Sequence, residues 1–196
     1  MTTRKPTCRK PHWTNVSGAF GFLAFGLGLS GVASPASAQG FRAGVASIVI
    51  TPPEPMWAGG YASRTRPVSE TLQELYAKAL ALEDSGGARV VIVTTDLLGF
   101  PRDISEPLCR QIEAQHGLRR EQVLLNSSHT HCGPVLRESL VDIYPMNEAD
   151  WLQVRRYSAW MQDRIVQVVG AALADLRAAR LSEATGHCDF AVNRRE

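Results

Sequence analysis

Alternating apolar and polar positions predict five β-strands along the chain. FRAGVASIVITPP, which starts at Phe41, alternates loosely and ends at two prolines, so it predicts a strand followed by a stop. LYAKALALED and ARVVIVTTD flank the turn residues SGG and predict a hairpin. Its second strand is apolar from Val90 to Thr94 and should therefore lie inside the sheet. QVLLN predicts a fourth strand, and LSEATGHCDFAVN is expected to close the chain as a fifth.

A first helix is predicted from Asp103 to His116, directly after the hairpin. Asp103 and Glu106 resemble a capping box, in which two side chains satisfy free backbone N–H groups at the start of a helix. Pro107 is placed in the tolerant first turn, and Gly117 provides the stop.

A second, longer helix is predicted after Asn147, which can cap it. Its apolar positions step by three or four residues and form one stripe: Trp151, Val154, Tyr157, Met161, Ile165, Val168, Ala172 and Leu176. Residues 54–70 have no such period and are predicted to form a long loop. The element order predicts an α/β fold, a mixed sheet with helices packed on it, in undetermined strand order.

The first 38 residues have a different pattern from the rest. Four basic residues precede the apolar, glycine-rich segment VSGAFGFLAFGLGLSGVA, and the small-residue triplet Ala36-Ser37-Ala38 follows. Basic start, apolar centre and small-residue site together predict a secretory signal peptide over residues 1–38, cleaved near Ala38. An uncleaved anchor is disfavoured because the apolar run is short and rich in glycine. The mature chain, residues 39–196, is therefore expected to be exported by ordinary secretion, since no twin arginine is present.

Composition adds few constraints. The chain has 196 residues and a formal net charge of +2, values that are ordinary for a globular domain. Its basic residues form no stripe or tail that would indicate binding to nucleic acid. After the signal peptide, Cys109, Cys132 and Cys188 remain, so at most one disulfide can form. The sequence allows two alternatives, one disulfide bond or three buried free thiols.

The main candidates for metal binding lie in the segment LLNSSHTHCGP, where His129 and His131 follow the fourth strand. In an extended segment, residues two apart project to the same side, so both imidazoles could enter one cleft. Imidazole is a common zinc ligand, and a catalytic zinc usually takes three protein ligands and one water. The alternative is a pair of hydrogen-bonded loop histidines.

Other residues are weaker candidates. Asp96 follows the third strand, at the sheet edge where sites commonly form, and could ligate a metal, orient a ligating imidazole or cap its turn. His116 is expected to interact with the dipole of its helix, and His187 to be a half-buried strand histidine. No G-x-S-x-G nucleophile elbow and no glycine-rich phosphate loop occurs in the sequence.

Several segments resemble the N-terminal, catalytic domain of the neutral/alkaline non-lysosomal ceramidases: AGVASIVITPP, GGYASR, LYAKALALEDSGGARVVIVTTDLLG and VLLNSSHTHCGP. Their order and spacing match from about Phe41 to Pro134, and FAVNRR is similar to the family's Asn-Arg element. Members of that family are zinc amidases that cleave ceramide to sphingosine and fatty acid.

The resemblance implies that His129 ligates Zn²⁺ and that His131 lines the same site. Together with the position of Asp96 at a strand end, it makes His131 and Asp96 the predicted catalytic residues. The other ligands of the family, a histidine, a glutamate and a tyrosine, are expected in segments that follow Glu196. The chain is therefore expected to be an incomplete, N-terminal portion of a larger α/β catalytic domain, and activity to need those segments. The implied partner is a lipid amide or another small amide, with transient contact to a membrane surface. The oligomeric state stays undetermined.

Two departures from the family pattern broaden the prediction. Cys132 stands where the family has serine, and CGPVLRESLVDIYPMNE lacks the glycine-rich, aromatic continuation. A metal-dependent hydrolase acting on an amide is thus the main prediction. The alternatives are another secreted metallohydrolase, which cleaves an ester or phosphoester, and a non-catalytic secreted binding domain.

Overall fold

The computed structural model describes residues 40–187, so the predicted signal peptide lies outside the described residues. Among the described residues, no helix has the length and apolar character that crossing a membrane requires. Residues 40–187 form five strands, two α-helices and a short 3₁₀ helix at Arg120–Gln122.

One mixed sheet organises these elements. Its strands are β1 (Phe41–Val49), β2 (Tyr76–Glu83), β3 (Arg89–Thr95), β4 (Val123–Ser127) and β5 (Arg177–Ala179), in the spatial order β4-β3-β2-β1-β5. The predicted hairpin is confirmed as the antiparallel pair β2–β3, and β3 lies inside the sheet as expected. β3 and β4 are parallel, because the chain crosses back through a helix between them. The predicted α/β fold class is confirmed.

Helix α1 (Arg102–His116) makes that crossover, but its start differs from the prediction. It begins at Arg102 with Pro101 as N-cap and without a side-chain capping bond, so the capping box at Asp103 is wrong. Pro107 consequently lies in the second turn, where it has no N–H to donate to the carbonyl of Asp103. The Arg137 guanidinium donates to that carbonyl instead, over 2.7 Å. Gly117 ends the helix in the left-handed conformation, as predicted.

Helix α2 (Glu148–Ala174) covers the sheet. The side chains of Asn147 and Asp150 cap each other's backbone N–H groups, which confirms the predicted cap. From Val154 to Leu176 the predicted stripe is buried in the core, while Trp151 is partly buried against it. The buried Tyr157 hydroxyl donates to the Ile50 carbonyl over 2.6 Å, and burial raises its pKa. This bond ties the helix to the end of β1.

The predicted closing strand is wrong over its described part. Leu181–His187 have no regular secondary structure, and the strand at this end is β5, which pairs with β1 before that segment begins. The remainder of the predicted strand, including Cys188 and the FAVNRR element, lies outside the described residues.

Candidate functional site

The two histidines lie in a loop directly after β4, which we call the histidine loop (residues 128–134). Ser128 N still donates to the Thr95 carbonyl over 2.9 Å and continues the parallel pairing. His129 then adopts a left-handed backbone conformation, with φ 59°. The expectation of an extended segment is therefore wrong. The rings nevertheless meet, with centroids 5.1 Å apart and planes at 70°.

The His129 ring is oriented by the segment that follows β3. Its Nδ1 lies 2.7 Å from the Leu98 carbonyl oxygen. A carbonyl can only accept, so Nδ1 carries a proton, and in the neutral imidazole Nε2 then keeps its lone pair. Histidines that ligate metals are commonly held in this way, by a carbonyl or carboxylate on the second ring nitrogen. The exposed His129 thus presents a nitrogen suited to bind a metal.

His131 is held by the long loop between β1 and β2. Trp57 and Gly59 pair with the end of the histidine loop, where Gly59 N donates to Gly133 O and Val135 N to Trp57 O, both over 2.8 Å. Gly60 then passes so close that a Cβ on it would lie 2.4 Å from Cγ of His131. The loop prediction is confirmed, and the lack of a side chain at Gly60 makes room for the His131 ring.

Sequence reasoning missed Tyr61, which stands edge-on to the His131 ring with centroids 5.1 Å apart. It is 60% exposed and has a positive φ of 56°. A bulky aromatic residue in that conformation is uncommon outside sites that hold it there. The only available signal was the segment GGY, because glycines in an aperiodic loop mark a close backbone approach.

Asp96 lies apart from this ring cluster. Its Oδ2 accepts from Tyr76 N over 2.9 Å, and its own N–H donates to Tyr76 O over 3.0 Å. The position beside His129 Nδ1, where a carboxylate was one of the expected partners, is taken by the Leu98 carbonyl. The catalytic role of Asp96 stays a prediction.

Asp96 lines a cleft of about 600 Å³ together with Ser128, Thr130 and Cys132, the alternate residues of the histidine loop. An apolar wall of this cleft comes from the loop after β1 and includes Met56 and Leu72, the latter 90% exposed. The cleft and the histidine pair therefore share one loop, and the two histidines stand outside the cleft lining.

The described residues do not by themselves form a complete metal site. Within residues 40–187, no group of three or more histidine, cysteine, aspartate or glutamate side chains is placed to hold one ion. His129 fits a metal through its oriented Nε2, and His131 is its nearest ring partner. Further ligands would have to come from residues beyond this described set.

Two further histidines, His116 and His187, lie among the described residues, and both are distant in sequence from the histidine loop. His116 ends α1, but its Nε2 contacts the Val166 carbonyl at 3.0 Å and its ring packs against Gly170 of α2. It therefore joins the two helices in addition to lying at the end of its own. His187 is exposed and outside any strand, so the prediction of a half-buried strand histidine is wrong.

Two cysteines are described, and both are free. Cys109 is buried in α1, where desolvation raises the pKa of its thiol. Cys132 is exposed beside His131, so the alternative in which all three thiols are buried is wrong.

Replacing Gly60 by alanine is expected to displace the His131 ring. Alanine must adopt φ +82° there and also place its Cβ 2.4 Å from the ring. We expect unfolding free energy to fall by about 2–3 kcal/mol, the sum of left-handed strain and overpacking. Urea unfolding measures the loss, and the NMR signals of the His131 ring should shift.

Gly87→Ala is the matched control for this substitution. Gly87 has the same φ of +82°, with nothing within 4 Å of an added Cβ. Gly87→Ala should lower the free energy of unfolding by only about 1 kcal/mol, because alanine is strained in the left-handed conformation. The NMR signals of the His131 ring should stay in place. Equal losses from both variants would show that the ring contact has no energetic weight.

Comparison with known proteins identifies structures that share the fold. Neither a family model nor a curated protein matches the sequence. A neutral ceramidase from Pseudomonas aeruginosa matches with a TM-score of 0.57 and 24% identity, and a ceramidase complexed with C2 with a TM-score of 0.56 and 23% identity. Each match covers 71% of this chain and 22% of the other, so the chain spans about a fifth of their length. The predicted resemblance is thus confirmed at the level of fold: the chain has the fold of part of these two ceramidase structures.

Proposed function

We propose that this chain contributes part of the active site of a ceramidase-like zinc hydrolase, with a lipid amide or a related small amide as substrate. The observation that carries the proposal is the 2.7 Å contact between His129 Nδ1 and the Leu98 carbonyl, which leaves Nε2 free to bind a metal. The shared fold with two ceramidase structures supports the substrate class.

In this proposal His129 would hold Zn²⁺ through Nε2, together with ligands outside the described residues. A bound zinc supplies a Lewis acid, which polarises a carbonyl and lowers the pKa of water. Hydrolysis adds water across the amide C–N bond and yields a carboxylic acid and an amine, so a proton must reach the leaving nitrogen. His131 is assigned that transfer because its ring is next to His129 and partly open to solvent.

The cleft beside the histidine loop supports an amphiphilic substrate. Met56, Val68 and Leu72 line it with apolar surface, while Asp96 and Arg64 provide charge. We assign Asp96 to the polar part of the substrate, within the same cleft. A lipid amide comes from a membrane, so export through the signal peptide and transient contact with a membrane surface belong to the same proposal.

A substrate panel tests this function on the native protein. An N-acyl amide lipid, a matched ester and a phosphodiester are offered before and after chelation with phenanthroline. We expect hydrolysis of the amide, loss of that activity on chelation and recovery when zinc is returned. Faster cleavage of the phosphodiester would point to the other metallohydrolase class. No turnover with any substrate, together with zinc lost to mild chelation, would indicate a binding domain instead.

A further inference from the structure

Arg64 connects the loop after β1 to the histidine loop. Its Nη2 donates to the His131 carbonyl over 2.7 Å, and its Nε donates to the Gly60 carbonyl over 3.0 Å. One half-buried guanidinium therefore bridges the backbone of His131 and the backbone of the glycine packed against the His131 ring.

The same guanidinium also supports the aromatic neighbour of His131. Its carbon lies 5.4 Å from the centroid of the Tyr61 ring, within the range of a cation–π contact. Tyr61 in turn meets the His131 ring edge-on. The Tyr144 hydroxyl donates to the Gly60 carbonyl over 2.8 Å, so this carbonyl is held from two sides.

These contacts require the geometry of arginine. The two acceptors belong to different loops, and a planar guanidinium can reach both with donors in a fixed arrangement. A lysine ammonium keeps the charge but offers a single point of attachment, so it cannot hold both carbonyls in the same relation.

We propose that Arg64 is a positioning residue, which fixes the His131 ring between Tyr61 and His129 by bridging the carbonyls of Gly60 and His131. The catalytic consequence of this bridge rests on the function proposed above. The positioning itself does not, because the contacts involve protein groups only.

The first test reads the ring positions directly. In the purified chain, NMR at one fixed pH should show a nuclear Overhauser contact between the ring protons of Tyr61 and His131. We expect Arg64→Lys and Arg64→Met to weaken this contact severalfold and to shift the His131 ring signals. Arg66→Lys, at an exposed position in the same loop, is the control and should leave both unchanged.

The second test separates positioning from a purely structural role. At matched zinc occupancy in the native protein, Arg64→Lys should lower kcat for the amide about 10- to 100-fold, the range for a reacting group misplaced by about 1 Å, with KM within about twofold. A loss confined to thermal stability, with ring contacts and kcat preserved, would overturn the proposal.

The two tests also distinguish the two proposals from each other. If the wild-type protein cleaves no amide, the function proposed above fails, while the ring contacts still decide the role of Arg64. If Arg64→Lys retains the wild-type contact between Tyr61 and His131, the positioning role fails whatever the activity.

Discussion

Replacing His129 by alanine is expected to remove zinc from the native protein and to abolish amide hydrolysis. The free energy of Zn²⁺ binding at structural sites is about 10–16 kcal/mol. Divided among four ligands, each contributes on the order of 3 kcal/mol, so the loss of one ligand lowers zinc affinity about a hundredfold. The assigned ligand atom is Nε2, because Nδ1 is already committed to the Leu98 carbonyl. Zinc content by mass spectrometry and turnover of the N-acyl amide are the two measurements.

Backbone strain has to be separated from ligand loss in this experiment. His129 has a φ of 59°, a conformation that costs alanine about 1–2 kcal/mol. His129→Asn is the better variant, since asparagine tolerates that conformation but cannot place a nitrogen where Nε2 stands. His187→Ala removes an exposed histidine and should keep both zinc and activity. Full zinc content and amidase activity in His129→Asn would exclude His129 as a ligand.

Replacing Gly44 by alanine is expected to give the largest loss of stability. A Cβ on Gly44 would lie 2.1 Å from the carbonyl oxygen of Ala172 and 2.8 Å from backbone atoms of Asp175 and Leu176. These are main-chain atoms, so the end of α2 has to move away from β1. We expect a loss of about 3 kcal/mol or more, at the upper end of overpacking effects, measured by urea unfolding.

Gly99→Ala is the control for Gly44→Ala. Nothing lies within 4 Å of a Cβ at Gly99, and its φ is outside the left-handed region. Its unfolding free energy should stay within about 1 kcal/mol of the wild type, and a small gain is expected because alanine restricts the unfolded chain. Similar values for the two variants would mean that α2 relaxes away from β1 at little cost.

The contact between Gly44 and α2 illustrates what sequence reasoning could not reach. The alternation in β1 predicts this strand, but nothing in FRAGVASIV indicates that Ala172, 128 positions later, packs against Gly44. The predicted start of α1 is wrong for a related reason. Asp103 and Glu106 fit a local capping pattern, whereas Pro107 in the second turn is accommodated by Arg137, from the loop after the histidines.

The strand before the histidines, the glycine-rich loop, and the cap and apolar stripe of α2 could be predicted from the sequence, because each depends on residues within a few positions of each other. The order of the strands, the partner of His129 Nδ1 and the packing of Gly60, Tyr61 and Arg64 around His131 follow from the folded arrangement of distant segments. The contacts to the two histidines join residues from 31 positions apart (Leu98 and His129) to 71 positions apart (Gly60 and His131), and their energy depends on where the packed sheet and loops place each group. Periodic patterns within a segment do not indicate which distant residues it will contact, so the neighbours of each histidine are known only from the packed fold.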